Sequence, residues 1–173
     1  MVSEINTITF NGIKTIDVNV QVSMSPGLPA FNIVGLPDKT IAESKERVRT
    51  ALNSIALAMP PKRVVVNLAP ANLMKEGSHF DLPIMIGILV ELKIIPAEAV
   101  KDFIVIGELG LNGQILAISG ILPTAIKATA NNMGVICPYD NGSEALWSGN
   151  DSIIAASNLI ELINHFKGTQ NLP

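Results

Sequence analysis

The segment Lys75-Glu76-Gly77-Ser78-His79-Phe80-Asp81 places an amine, a hydroxyl, an imidazole and two carboxylates in one short loop. Groups of these types can do nucleophilic chemistry. A hydroxyl attacks when a base takes its proton across about 2.6–3.2 Å. Ser78 is the candidate nucleophile, with Lys75, His79 or the more distant Lys127 as base. A helix starting near Asp81 would offer free N–H groups to an oxyanion. The same residues also have a purely structural use. Adjacent side chains such as Ser78 and His79 point apart in extended chain, and Ser78-x-x-Asp81 matches a capping box. The loop therefore reads first as a helix start and second as a nucleophile.

A second set could do electrostatic work. Lys39 to Lys75 holds seven Lys or Arg and two Glu, in a chain whose net charge is −3. Lys45, Arg47, Arg49, Lys62 and Arg63 are the candidates for neutralising a nucleic-acid backbone, which needs no base reading. A solvated helix surface is the plainer alternative, with Glu43 and Arg47 as an i,i+4 pair. Tyr139 and Trp147 lie outside this segment, so base stacking has little support. Other chemistry is thinner. No Gly-x-x-x-x-Gly-Lys-Ser/Thr loop occurs, and Gly107, Gly110 and Gly113 lack the Gly-x-Gly core of a dinucleotide site. His79 and His165 are the only histidines, and nothing in their spacing favours a metal. No cofactor is expected in this chain.

These residues need elements to hold them. Alternating residues from Ile5 to Val22 around Asn11-Gly12 predict a hairpin. Phe31 to Gly35 predicts a short strand. Asp38 is positioned to cap a helix to about Leu57, with Ile41, Val48, Leu52 and Ile55 on its buried face. Val64 to Leu68 reads as a buried strand. A second helix, about Leu82 to Leu92, has Asp81 as its candidate cap and is apolar nearly all round, which predicts burial on every side. A helical turn starts at Pro96. Phe103–Glu108 and Gln114–Ile118 read as another hairpin. A helix over about 122–131, a strand at Gly134–Pro138, a turn near Trp147, a strand near Ile153–Ala155 and a helix at Leu159–Phe166 complete the pattern, with a loose polar tail. One α+β domain, a two-layer α/β sandwich, is the predicted class.

Composition agrees. The 173 residues are 48% hydrophobic and 16% charged, which excludes a disordered polymer. The most apolar stretch, Leu82 to Val90, is too short for the roughly 20 residues of a membrane span. No signal peptide is visible, and the lone Cys137 fits a reducing compartment, so a cytoplasmic location is expected.

Longer motifs carry a family resemblance. The run Ser25-Pro26-Gly27-Leu28-Pro29-Ala30-Phe31-Asn32-Ile33-Val34-Gly35-Leu36-Pro37-Asp38 resembles the opening signature of the ComM/YifB family, also called magnesium-chelatase-like. The likeness continues in Glu43 to Arg49, Pro60-Pro61-Lys62-Arg63, Asn67 to Ala71, Lys75 to Pro83, Gly107-Glu108-Leu109 and Gly120-Ile121-Leu122-Pro123. It covers essentially the whole chain.

The resemblance implies an AAA+ ATPase whose N-terminal region is similar to the Lon proteolytic domain, a ribosomal-protein-like second-domain fold. Residues 1–167 would be that domain, and 168–173 would open a linker to an ATPase module beyond the chain. ATP and magnesium are implied for that module. DNA, the chain's own ATPase module and a homo-hexamer of the full-length form are the implied partners, with no membrane. The implied role is branch-migrating DNA processing in natural transformation.

Lon-type proteases use a Ser in a Lys-Asp-Gly-Pro-Ser-Ala-Gly stretch, and here that position falls on His79, with Ser78 one place early. The Lon base, from Gly-Gly-Leu-Lys-Glu-Lys, falls on Thr124, with Lys127 a helical turn away. The expectation is a non-proteolytic scaffold with no catalytic residue. A diverged serine peptidase and a magnesium-chelatase accessory domain are the alternatives.

Overall fold

The computed structural model describes residues 2–12, 14–168 and 172. The chain opens with β1 (Val2–Asn11) and β2 (Lys14–Ser25), paired antiparallel from Val2↔Ser23 to Asn11↔Lys14 around the Asn11-Gly12 turn. β3 (Ala30–Val34) leads into α1 (Asp38–Ser54), and β4 (Arg63–Ala69) follows. A 3₁₀ turn at Ser78–Phe80 runs straight into α2 (Asp81–Glu91), followed by the one-turn α3 (Ala97–Val100). Then come β5 (Phe103–Val105), β6 (Glu108–Leu109), β7 (Ile115–Leu116), α4 (Ile121–Ala130) and β8 (Gly134–Pro138). A 3₁₀ turn at Tyr139–Asn141, α5 (Gly142–Leu146), β9 (Ile153–Ala156) and α6 (Leu159–Phe166) complete the chain.

Seven strands form one sheet in the order β3-β4-β2-β1-β5-β8-β9. β2 runs against both its neighbours, and every other pair in this sheet is parallel. The alternation seen in sequence places Ile5, Val20, Val22, Val64, Val66 and Leu68 on one face. There α1 and α2 cover them, and every residue from Asp81 to Val90 is buried, as its all-round apolarity predicts. Ile8, Ile104, Val135 and Cys137 point to the other face, where they pack on Ile121, Ala125 and Ala128 of α4. The two-layer arrangement therefore holds for β3 and β4, while α4, which packs on β2, β5 and β8, and α5 beside β9 add a third layer. Burial pushes the Cys137 thiol up to about 12.

The structure corrects four local readings. Asp38 does not cap α1: Pro37 occupies that position and no side chain caps it. The second hairpin is shorter than expected: only β6 and β7 pair antiparallel, around Leu111-Asn112-Gly113, while β5 lies in the main sheet between β1 and β8. Three consecutive apolar residues, Ile104-Val105-Ile106, are all buried, as suits a parallel strand covered on both faces rather than a hairpin arm. Asp81 is not a cap either, because its carboxylate turns away to Arg47. At Leu172 the tail is held, with its N–H donating to His165 Nδ1 at 3.0 Å. The positions 169–171 and 173 of the tail lie outside the described residues.

Candidate functional site

The β3–α1 connection, Gly35-Leu36-Pro37, turns the chain back so that α1 lies against β3. This brings α1 side chains over Phe31. The Lys45 ammonium sits 5.9 Å and the Arg49 guanidinium 5.6 Å from its ring centroid, within cation–π range. β4 runs beside β3 with Ala30 opposite Arg63, and the Lys62 carbonyl accepts from Ala30 N–H. Lys45 and Arg49 thus lie over Phe31 on the α1 face, while Lys62 and Arg63 open β4 beside Ala30, and Arg63, alternating with the buried Val64, leaves the sheet on the opposite face. None of the four has a carboxylate partner among the described residues.

Arg47 is different. It lies on α1 between Lys45 and Arg49 in the motif, but its guanidinium enters the interior between α1 and α2. Nε donates to Asp81 Oδ2 at 2.6 Å and Nη2 to Asp81 Oδ1 at 3.1 Å. Ser44 Oγ donates to Oδ1 at 2.7 Å, and Leu109 N–H to Oδ2 at 3.1 Å. One carboxylate thus ties α1, α2 and β6 together. Arg47 keeps 21% of its side chain exposed against 1% for Asp81, and the two partners shift accordingly. The hydrogen bond to Asp81 holds the Arg47 guanidinium's pKa above its ordinary value. At Asp81, burial outweighs its donors and lifts the carboxyl above the usual range. The expected Glu43–Arg47 pair gives way to this inward one, because a bidentate fork in a dry site outweighs an exposed i,i+4 contact.

The candidate nucleophile loop is also engaged residue by residue. Ser78 Oγ donates to Glu108 rather than capping α2. Lys75 is 1% exposed and gives its ammonium protons to the Pro70 and Leu73 carbonyls at 2.5 and 2.7 Å. Burial moves its pKa down. His79 Nε2 lies 2.9 Å from the Ile8 carbonyl, so Nε2 carries the proton. Its ring packs between Phe10 and Phe80. Lys127 faces Asp17 at 3.9 Å, and Thr124 Oγ1 donates to the Gly120 carbonyl at 2.8 Å. The loop gathers these residues around the start of α2, yet each polar group points to a separate partner. Among the described residues no group of three or more His, Cys, Asp or Glu lies close enough to hold a metal ion. No described helix is long and apolar enough to cross a membrane.

His79 gives a pH signature. Burial lowers its pKa below the ordinary 6.5. The unfolded chain therefore takes up a proton near that pH, and the folded chain does so only lower down. Stability is fully present above the ordinary value and falls as the pH drops below it, by at most about 1.4 kcal/mol per pH unit. Urea midpoints measured across mildly acidic pH should show this slope, and His79→Gln should flatten it.

Sequence reasoning found Arg47 and Asp81 singly but missed their pairing, and it did not mark Ser44. The usable signal was the carboxylate at the head of a helix that is apolar from Leu82 to Val90, since a buried charge requires a partner.

Residues 20–141 match the family described as subunit ChlI of Mg-chelatase. The chain is 38% identical over 162 residues to competence protein ComM of Haemophilus influenzae, covering 94% of this chain and 32% of that protein. It is 35% identical over 145 residues to YifB of Escherichia coli, covering 83% of this chain and 29% of that protein. A Mycobacterium bovis protein, Mb2921c, is 30% identical over 156 residues, with 90% and 31% covered. The chain thus spans about a third of the length of these curated relatives. On these matches the chain belongs to the magnesium-chelatase ChlI-like family, with the ComM/YifB proteins.

Proposed function

We propose that this chain is a non-proteolytic, Lon-like accessory domain of a ComM-type DNA-processing ATPase, contributing assembly contacts and non-specific contact with DNA during uptake of foreign DNA. The observation that carries the DNA reading is that Lys45 and Arg49 over Phe31, and Lys62 and Arg63 at the head of the neighbouring β4, lack acidic partners among the described residues. Phosphate binding of this kind needs positive side chains on a firm support and no base-reading pocket. Arg47 is left out of the set because Asp81 occupies its guanidinium.

The non-proteolytic reading is supported by the separate partners of Ser78, Lys75, His79 and Lys127. A serine mechanism needs the hydroxyl beside its base, and here Ser78 Oγ donates its hydrogen bond to Glu108 and not to Lys75, His79 or Lys127. ATP and magnesium belong, in this reading, to another part of the protein. Helix α1 begins with Pro37 and carries Asp38 in its first turn, an arrangement that repels phosphate and does not fit a nucleotide. No step of the proposal runs through nucleotide.

The test is binding of the chain to a short duplex across a salt series. Changing Lys45, Arg49, Lys62 and Arg63 to Ala should flatten the plot of log affinity against log salt by about 0.9 for each phosphate no longer neutralised. An unchanged slope overturns the DNA reading.

A further inference from the structure

The two edges of the sheet are β3 and β9, and no described strand pairs with the outer side of either. Their chemistry is opposite. Over the β3 edge stand Lys45 and Arg49 of α1. The β9 edge belongs to a stretch with no Lys or Arg between Lys127 and Lys167, in which Asp140, Glu144, Asp151 and Glu161 all lie. Beside β9 opens a cavity of about 420 Å³, walled by Asp140, Leu146, Asp151 and the strand residues Ile153 and Ala155.

Both edges also expose apolar surface. The chain's one Trp and one Tyr flank α5 beside β9, with Trp147 76% and Tyr139 59% exposed, and Leu146 lies next to Trp147 at 57%. Large aromatics left in water together mark contact surfaces more often than solvated ones. At the other edge Leu28 is 88% and Val34 52% exposed.

We propose that a second copy of this chain covers the β9 edge with its β3 edge, so that copies join head to tail. Strand direction supports this pairing. β3 and β9 both run parallel to β1, so a copy placed beside another in the same orientation sets β3 next to β9 as a parallel pair, like the pairs β3–β4 and β8–β9 within each sheet. The lengths match, five residues against four. Charge selects the same partner. A two-fold contact of β9 with β9 would bring Asp140, Glu144 and Asp151 against themselves, and β3 with β3 would gather Lys and Arg. Only the head-to-tail contact sets basic against acidic. A heterologous contact repeats until it closes or extends. The inference rests on the assembly half of the function proposed above, and it sets Lys45 and Arg49 against the acidic edge of a neighbour, so that DNA and a second copy compete for these two side chains.

The experiment uses the chain itself, without nucleic acid. Sedimentation velocity over a wide concentration range should show growing species at low salt. The emission of Trp147, the chain's only Trp, should move to shorter wavelength in step. High salt should weaken association roughly tenfold or more.

Two double variants separate the edges. Asp140→Lys with Asp151→Lys spoils β9, and Lys45→Ala with Arg49→Ala spoils β3. Each alone should remain single. Mixed, they should form a one-to-one dimer that goes no further, because one good edge of each kind remains. A wild-type chain that stays single at millimolar concentration with unmoved Trp147 emission overturns the proposal, with no variant needed. Assembly that survives both double variants overturns it too. Either result leaves the salt-slope test of DNA contact standing on its own.

Discussion

Replacing Arg47 with Met is expected to remove about 3–5 kcal/mol of folding stability, although the residue sits on a helix with one-fifth of its side chain in water. The loss comes from Asp81. With the guanidinium gone, a carboxylate at 1% exposure keeps only Ser44 Oγ and Leu109 N–H. It must then hold its charge without compensation or take up a proton, and both are costly in a dry site. The double variant Arg47→Met with Asp81→Leu should regain more than half of the loss, because two apolar groups of similar volume can fill the same space. Urea unfolding of the four proteins in the cycle measures this directly. Equal losses in the single and double variants would mean that packing of α1, not the charge pair, sets the energy. The cycle also guards the DNA experiment: an Arg47 change that weakens DNA binding should do so together with the fold.

Gly35→Ala should cost about 2–4 kcal/mol, for two independent reasons. Gly35 has φ of +107°, a region that L side chains rarely enter. A Cβ there would also stand 2.7 Å from the Leu68 backbone carbonyl oxygen, a neighbour that cannot rotate away. Relief requires β3 and β4 to part, or α1 to lift from β3. Either movement would disturb Phe31 beneath Lys45 and Arg49. The variant should therefore lose stability and DNA affinity together, whereas the variant with Lys45, Arg49, Lys62 and Arg63 all changed to Ala should lose affinity alone. A thermal midpoint unchanged from wild type would remove Gly35 from this role.

The legible and illegible parts of the chain divide along range. Local patterns were readable: the Asn11-Gly12 turn, the apolar run of α2 from Leu82 to Val90 and the strand Gly134–Pro138 all stand where spacing and composition put them. What failed depended on partners far away. Ile104-Val105-Ile106 reads as a hairpin arm until Asn6 and Val135 are known to flank Ile104. Asp81 reads as a cap until Arg47, 34 positions earlier, reaches it. Ser78 reads as half of a capping box until Glu108 accepts its hydrogen bond. The candidate site followed the same rule. Lys45, Arg49, Lys62 and Arg63 were visible as a charge bias, while the removal of Arg47 from that set needed the packing of two helices. The family motifs were more informative than periodicity because long ordered motifs carry tertiary constraints, as Gly35 does.

The thiol of Cys137 is buried on β8, and its surroundings keep it protonated far above neutrality. A thiol in that state does not react with alkylating reagents until the strands around it separate. Because the chain has one cysteine, each labelled molecule records a single opening event at the centre of the parallel half of the sheet. The rate of alkylation in native buffer thus becomes a clock for how often this protein opens. Comparing that clock with the urea free energy would tell whether β8 is released alone or only when the whole molecule unfolds.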